Sequence, residues 1–77
     1  MEEIIEDVPV RRSVYEAARH AEALSGNPAF HFAEMVRDAY RRHGQDDRAA
    51  FWQEIYDFLF MRECGPKGAR IVILPDE

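Results

Sequence analysis

Three breaks that contain glycine divide this chain into segments of helical length, and they constrain its fold more than any other feature. The breaks are Gly26, Gly44 and the pair Gly65 and Pro66. Glycine readily adopts the positive-φ backbone that ends a helix, and proline cannot continue one. Between the breaks, apolar residues recur at spacings of three and four, which is the helical pattern. The predicted helices span residues 13–25, 28–43 and 47–63.

Each predicted helix has a polar residue that suits its first turn. Ser13 and Glu16 have the spacing of a capping box, in which each side chain accepts the backbone N–H of the other residue. Asn27 is the predicted cap of the second helix, and Asp46 or Asp47 is that of the third. In this interpretation the helix starts follow from local sequence.

The third predicted helix carries most of the aromatic side chains. Trp52, Ile55 and Leu59 share one arc of this helix, so we assign them to the core against the other two helices. Phe60 and Met61 fall outside this arc and are predicted to be exposed. Aromatic residues and methionine are enriched at protein interfaces, which makes these two side chains candidates for a binding surface.

Two short apolar segments flank the helices, at residues 4–10 and 69–74. The second is rich in β-branched residues, which predicts a strand. A lone strand leaves its backbone groups unpaired. It must therefore pair with the first segment, with the same strand of a second copy, or with another protein. Within one chain, we expect a small antiparallel ribbon. The predicted fold class is mainly α, with residues 1–77 as a single compact three-helix domain and short extended segments at both ends.

The charge balance argues against nucleic acids and membrane surfaces as direct partners. The chain has 10 Lys and Arg against 15 Asp and Glu, a net charge of −5, whereas binding to phosphates requires an excess of cations. A helix-turn-helix is disfavoured because its recognition helix would begin with Asp46 and Asp47. Arg37, Arg41 and Arg42 are predicted to form a solvated basic strip.

Cysteine content and hydropathy predict a soluble protein of the cytoplasm. Cys64 is the single cysteine, so no disulfide can form within the chain, which suits a reducing compartment. The first residues are acidic, unlike the basic start of a signal peptide. No apolar run approaches the roughly 20 residues that a membrane-spanning helix needs.

Few residues suggest catalysis or metal binding. Glu16 and His20 are four residues apart and His31 and Glu34 are three apart, but carboxylate-bridged metal sites need several such pairs from different helices. Cys64 lies at the end of a helix, where the dipole disfavours a thiolate, and is predicted to be half-buried and inert. We therefore predict a protein that is not an enzyme and binds no metal or cofactor.

The middle of the chain, roughly residues 20–59, combines a phenylalanine–alanine–glutamate helix start with a glycine break and a Trp-x-x-Ile seam. The residues in question are Ala29, Phe32, Ala33, Glu34, Gly44, Trp52 and Ile55. This pattern resembles a family of small uncharacterised bacterial proteins, a domain of unknown function. Gln45 follows the glycine where that family tends to have aspartate. The resemblance implies a helical fold and supplies no activity.

Taken together, these features predict a small non-catalytic intracellular protein that binds another protein chain, most simply its own copy in a two-fold dimer. The expected contact surface joins the exposed side of the third helix to the C-terminal strand. The predicted binding residues are Phe60, Met61, Ile71, Val72, Ile73 and Leu74.

Two alternatives belong to other functional classes. One is an acidic inhibitor that imitates nucleic acid and blocks a basic groove on its target. Its binding face would be formed by Asp46, Asp47, Glu54, Asp57 and Glu63. A single contiguous patch of these carboxylates favours the inhibitor, and scattered positions favour plain solubility. The other alternative is a metal-dependent enzyme, which requires His20 or His31 to converge with carboxylates in space.

Overall fold

The structure is a computed structural model that describes residues 7–26, 28–65 and 70–76. Two short strands enclose three helices along the chain, so the predicted fold class is confirmed. The elements are β1 (Asp7–Arg11), α1 (Arg12–Ser25), α2 (Phe30–Arg42), α3 (Asp46–Cys64) and β2 (Arg70–Leu74). Residues 4–6 and 69 of the predicted extended segments, and the predicted cap Asn27, lie outside the described residues.

Helices α1 and α3 run in the same direction. Near the start of α1, the ring of Tyr15 packs edge-on against Phe58, with ring centroids 5.9 Å apart. Near its end, Glu22 forms an ion pair with Arg62, at 3.5 Å between oxygen and nitrogen. Successive residues of α1 therefore meet successive residues of α3.

Helix α2 runs antiparallel to α3. Its first residue, Phe30, packs edge-on against Phe60 near the end of α3, with ring centroids 5.3 Å apart. Toward the end of α2, the ring of Tyr40 meets the guanidinium of Arg48 at the start of α3, 5.7 Å from the ring centroid. The turn between them contains Gly44 at a φ of +74°, the backbone that favours glycine.

The core lies where α1, α2 and α3 meet, with Val10 of β1 at its edge. Small side chains of α1, of α2 and of the residue before α2 are fully buried or nearly so, namely Ala18, Ala21, Ala33 and Ala29. Alanine at these positions allows the helix backbones to approach closely. Two of the three residues assigned to the core, Ile55 and Leu59, are completely buried. The third, Trp52, is half-buried and packs edge-on against Phe32, with ring centroids 6.1 Å apart.

The helix starts are stabilised differently from the prediction. Helix α1 follows β1 without a turn, so its N-cap is Arg11 and not Ser13. The backbone N–H and the hydroxyl of Ser13 both donate to Asp76, at 3.3 and 3.1 Å. The capping box with Glu16 was therefore wrong, because the carboxylate that Ser13 binds comes from the chain after β2.

The start of α2 is also stabilised by a distant carboxylate. Glu63 of α3 accepts the backbone N–H of Ala29 at 2.9 and 3.0 Å and that of Phe30 at 3.2 Å. The negative charge sits at the positive end of the α2 dipole. Helix α3 has Gln45 as N-cap without a side-chain bond, and Asp46 and Asp47 lie within its first turn. The prediction that Asp46 or Asp47 caps this helix was therefore wrong.

The two strands form a parallel sheet, so the predicted antiparallel ribbon was wrong. Val8 lies beside Ile71, and Val10 beside Ile73. The cause is the common direction of α1 and α3. Because β1 runs into the start of α1 and the chain leaves α3 at the other end of the bundle, β2 returns in the direction of β1. The intervening helices supply the crossover that a parallel pair requires.

Candidate functional site

The structure places the predicted binding residues on separate surfaces. Phe60 has 45% of its surface exposed and stacks on Tyr56, with ring centroids 6.0 Å apart. It also packs against Phe30, so it belongs to the side of α3 that meets α2. Met61 comes one residue later, about 100° further round the helix, and lies on the side that faces β1. It is half-buried there, so the prediction that it is exposed was wrong. The two side chains therefore do not share one surface.

The other four predicted residues belong to β2. Ile71 and Val72 are half-buried, and Ile71 packs against the core. Ile73 and Leu74 are 46% and 41% exposed. The strand thus becomes more exposed toward its end, where large apolar side chains remain in contact with solvent.

Between β1 and α3 lies a groove of about 400 Å³, called here the β1–α3 groove. Its floor is formed by Val14 of α1 and Phe58 of α3, both buried. Helix α3 contributes residues at the 3- and 4-residue spacings of one helix face. The complete lining is Val8, Pro9, Val10, Arg11, Val14, Glu54, Asp57, Phe58, Met61 and Leu74.

Strand β1 forms one wall of the groove, together with the end of β2. Residues 8–11 all line the groove. Because successive side chains of a strand point to opposite faces, four consecutive lining residues bring the backbone of β1 to the groove. Leu74 of β2, the register partner of Arg11, lines the same space. Pro9 has no N–H, so β1 offers the apolar proline ring at a position where another residue would offer a hydrogen-bond donor.

The rim of the groove is polar and carries more negative than positive charge. Arg11 forms an ion pair with Glu54, and its guanidinium lies 5.9 Å from the ring centroid of Phe51. Asp57 accepts a hydrogen bond from the side-chain amide of Gln53 at 2.9 Å. Among the described residues, no ion pair involves Asp57. The groove therefore combines an apolar floor with a carboxylate that a cation could approach.

Asp57 is held in place by a polar network between α2 and α3. Arg37 donates to the side-chain oxygen of Gln53 at 2.7 Å and to Asp38 at 2.8 and 3.0 Å. Its guanidinium also lies over the ring of Tyr56, 5.4 Å from the centroid. Only 15% of the Arg37 side chain is exposed. The prediction of a solvated basic strip was therefore wrong for Arg37, whose side chain packs between α2 and α3 and binds residues of both helices.

The five carboxylates of the predicted inhibitor face are distributed along α3. Asp46 and Asp47 lie exposed in its first turn. Glu54 and Asp57 lie at the β1–α3 groove, where Glu54 is paired with Arg11. Glu63 binds the start of α2. Glu54, Asp57 and Glu63 are thus engaged in contacts within the chain, and Glu63 lies on a different side of the helix from the groove.

The histidines and the cysteine lie at the surface. His20, His31 and His43 are exposed, and His31 packs against Phe30 with ring centroids 4.2 Å apart. In the described ranges, no group of three His, Cys, Asp or Glu side chains lies close enough to hold a metal ion. Cys64 is exposed, whereas a half-buried thiol had been predicted, because it lies in the last turn of α3 beyond the core. None of the helices described is long and apolar enough to cross a membrane.

Sequence reasoning named Met61 and Leu74 as binding residues, and Glu54 and Asp57 as part of the alternative inhibitor face, but it missed Phe58, Val14 and the β1 wall. Glu54, Asp57, Phe58 and Met61 form an i, i+3, i+4, i+7 series that could have indicated one face of α3. For the β1 wall, the sequence offered a weaker indication of a strand, namely Pro9 between two valines. No local pattern indicated that this segment would lie beside α3.

Comparison of the chain with models of known protein families, with curated proteins and with solved structures gave no match. The resemblance noted from the sequence therefore stays a prediction.

Proposed function

We propose that this chain is a non-catalytic protein-binding module whose partner is a second copy of itself, joined through the outer edge of β2. The observation that carries the proposal is the two-stranded sheet, because each strand of such a sheet has one edge that its neighbour does not pair. An unpaired edge is a template for a further strand. Within the described part of the chain, no third strand covers β2.

The edge of β2 is better suited to strand pairing than that of β1. Pro9 interrupts the donors of β1, and proline is characteristic of edges that are protected from pairing. β2 has the sequence Arg-Ile-Val-Ile-Leu, with no proline and no charge after its first residue. Ile73 and Leu74 are the exposed apolar side chains that a second strand would cover.

Antiparallel pairing about a two-fold axis at Val72 gives a register in which β2 complements itself. Ile71 then lies opposite Ile73 of the partner subunit, and the two copies of Val72 lie opposite each other. Cross-strand pairs of β-branched residues stabilise a sheet. Arg70 lies opposite Leu74 of the partner subunit, so no like charges meet. The result is a four-stranded sheet with the same surface used on both sides, as a two-fold interface requires.

The charge of Arg70 is already balanced within the chain. Its guanidinium donates to Asp7 at 3.0 and 3.3 Å. The hydrogen bond and the attraction of Asp7 raise the pKa of Arg70. This ion pair joins the first residues of β1 and β2, at the end of the strand and away from Val72. The centre of the proposed interface is therefore apolar.

A charge-swap experiment at the proposed axis tests this function. We expect sedimentation equilibrium to give about twice the 9.0 kDa chain mass for the natural sequence at high micromolar concentration. Val72→Lys places two lysines opposite each other, and like charges in this position destabilise pairing. Val72→Glu does the same with two carboxylates. Each variant alone should sediment as a monomer, and an equimolar mixture should recover the dimer mass.

The matched control is Leu24→Lys, which introduces the same charge on α1 at a side chain that is 66% exposed. This variant should remain a dimer, and all three should keep the helical far-UV circular dichroism of the natural chain. A natural chain that sediments at 9.0 kDa contradicts self-association. Dimers of both Val72 variants would show that the chain associates through another surface.

A further inference from the structure

We propose that the β1–α3 groove is a second binding site, which takes a bulky apolar side chain and an adjacent lysine or arginine from a segment of a partner protein. Of the residues in the proposed dimer contact, Leu74 also lines the groove, whereas the rest of the lining belongs to β1, α1 and α3. The groove volume of about 400 Å³ lies within the range of about 300–1,000 Å³ that is usual for ligand pockets.

The apolar part of the groove favours recognition of side chains over strand pairing. Pro9 interrupts the donors along the β1 edge, so a segment lying there cannot form a continuous ladder of backbone bonds. Val8 and Met61 instead offer apolar walls above Val14 and Phe58. Methionine adapts to different shapes because it is unbranched and has three rotatable side-chain bonds.

The charge at the rim selects a cation. Glu54 is balanced by Arg11, and Asp57 is held by the amide of Gln53. Since Gln53 is in turn held by Arg37, the Asp57 carboxylate is positioned before a partner arrives. The net charge of −5 on the chain further attracts basic segments.

The length of the groove suits a short extended segment. The α3 side runs from Glu54 to Met61, which is about 10 Å along a helix axis. An extended chain rises about 3.3 Å per residue, so roughly three residues cover this length. The partner segment therefore needs one apolar side chain over the floor and one cation next to Asp57.

Selection from a random heptapeptide library displayed on phage, with the full chain as target, tests the proposal. The peptide most enriched is then synthesised with a fluorescent label and titrated by anisotropy. Three variants are titrated beside the natural chain: Asp57→Lys, Met61→Arg and Asp47→Lys. The last is the matched control, because it makes the same charge change on α3 at an exposed position outside the groove.

We expect enriched peptides to share a bulky apolar residue next to Lys or Arg. Asp57→Lys and Met61→Arg should each weaken binding by about fivefold or more, and Asp47→Lys by less than about twofold. Affinity should fall as salt is added, because the ion pair is partly exposed. No enrichment, enrichment of acidic peptides, or equal loss in Asp57→Lys and Asp47→Lys would overturn the proposal. Circular dichroism and sedimentation of each variant distinguish loss of the groove from loss of folding or of the dimer.

Discussion

Replacing Glu63 tests the contact that the structure uses to start α2. This carboxylate on α3 accepts the N–H groups of Ala29 and Phe30, at 2.9–3.2 Å. Ala29 is completely buried, so water cannot readily replace a lost acceptor. Glu63→Ala removes the acceptor and its charge, and Glu63→Gln removes the charge while keeping one oxygen.

The expected loss can be worked from these contacts. A buried donor left without a partner costs about 1–3 kcal/mol, and loss of a carboxylate at a helix start costs about 0.3–1 kcal/mol more. We therefore expect Glu63→Ala to lower the free energy of unfolding by about 2–3 kcal/mol, and Glu63→Gln by about 1 kcal/mol. A domain of this size has about 4–12 kcal/mol in total. At about 4–8 °C per kcal/mol, the alanine variant should melt roughly 10–20 °C lower.

Urea and thermal unfolding followed by far-UV circular dichroism measure the effect. All proteins should be compared at one concentration, because the stability of a dimer depends on concentration. Glu54→Ala is the control on the same helix, since its exposed ion pair with Arg11 should contribute no more than about 1 kcal/mol. A Glu63→Ala variant no less stable than Glu54→Ala would refute the reasoning, because it would show that the α2 start does not depend on this carboxylate.

Three further changes have expected outcomes. Ile55→Ala should lower the free energy of unfolding by about 2–5 kcal/mol, measured by urea unfolding, because Ile55 is completely buried. Arg37→Met should cost about 1–3 kcal/mol by the same measurement, because it leaves Gln53 and Asp38 without their guanidinium partner. Asp76→Ala should cost about 1 kcal/mol and should speed amide hydrogen exchange in β2 more than in α3, because Asp76 ties the chain after β2 to Ser13.

The helices could be predicted from sequence because their signals are local. Gly26 and Gly44 adopt positive φ in the structure, at +77° and +74°, and the apolar spacing between such breaks is a property of each segment alone. Burial of Ile55 and Leu59 followed from the same spacing.

The capping contacts could not be predicted because their partners are distant in sequence. Glu63 lies 34 residues from Ala29, and Asp76 lies 63 residues from Ser13. Both carboxylates are brought to their helix starts by the tertiary fold and not by the local sequence. A local capping motif predicts only hydrogen bonds between residues close in sequence. In this protein, a carboxylate from a distant part of the chain makes the hydrogen bond instead.

The candidate site was predicted in part for the same reason. Met61 was identified as lying off the core arc of α3, but the segment beside it depends on the direction in which β2 returns. That direction follows from the packing of α1 on α3. Neither the parallel sheet nor the β1 wall could therefore be predicted from the sequence of one segment. Arg37 was misjudged because Gln53 and Tyr56, which cover it, belong to another helix.

The parallel sheet also determines how the molecule responds to a pulling force. Asp7 begins β1 at one end of the sheet, and Leu74 ends β2 at the other. A force applied through these two residues draws the strands past each other along their length. All the hydrogen bonds of the ladder are then loaded in shear at once, whereas an antiparallel ribbon pulled from adjacent ends would open one bond at a time. The short pair of strands is therefore expected to resist a force applied along the strands more strongly than an antiparallel ribbon of the same length.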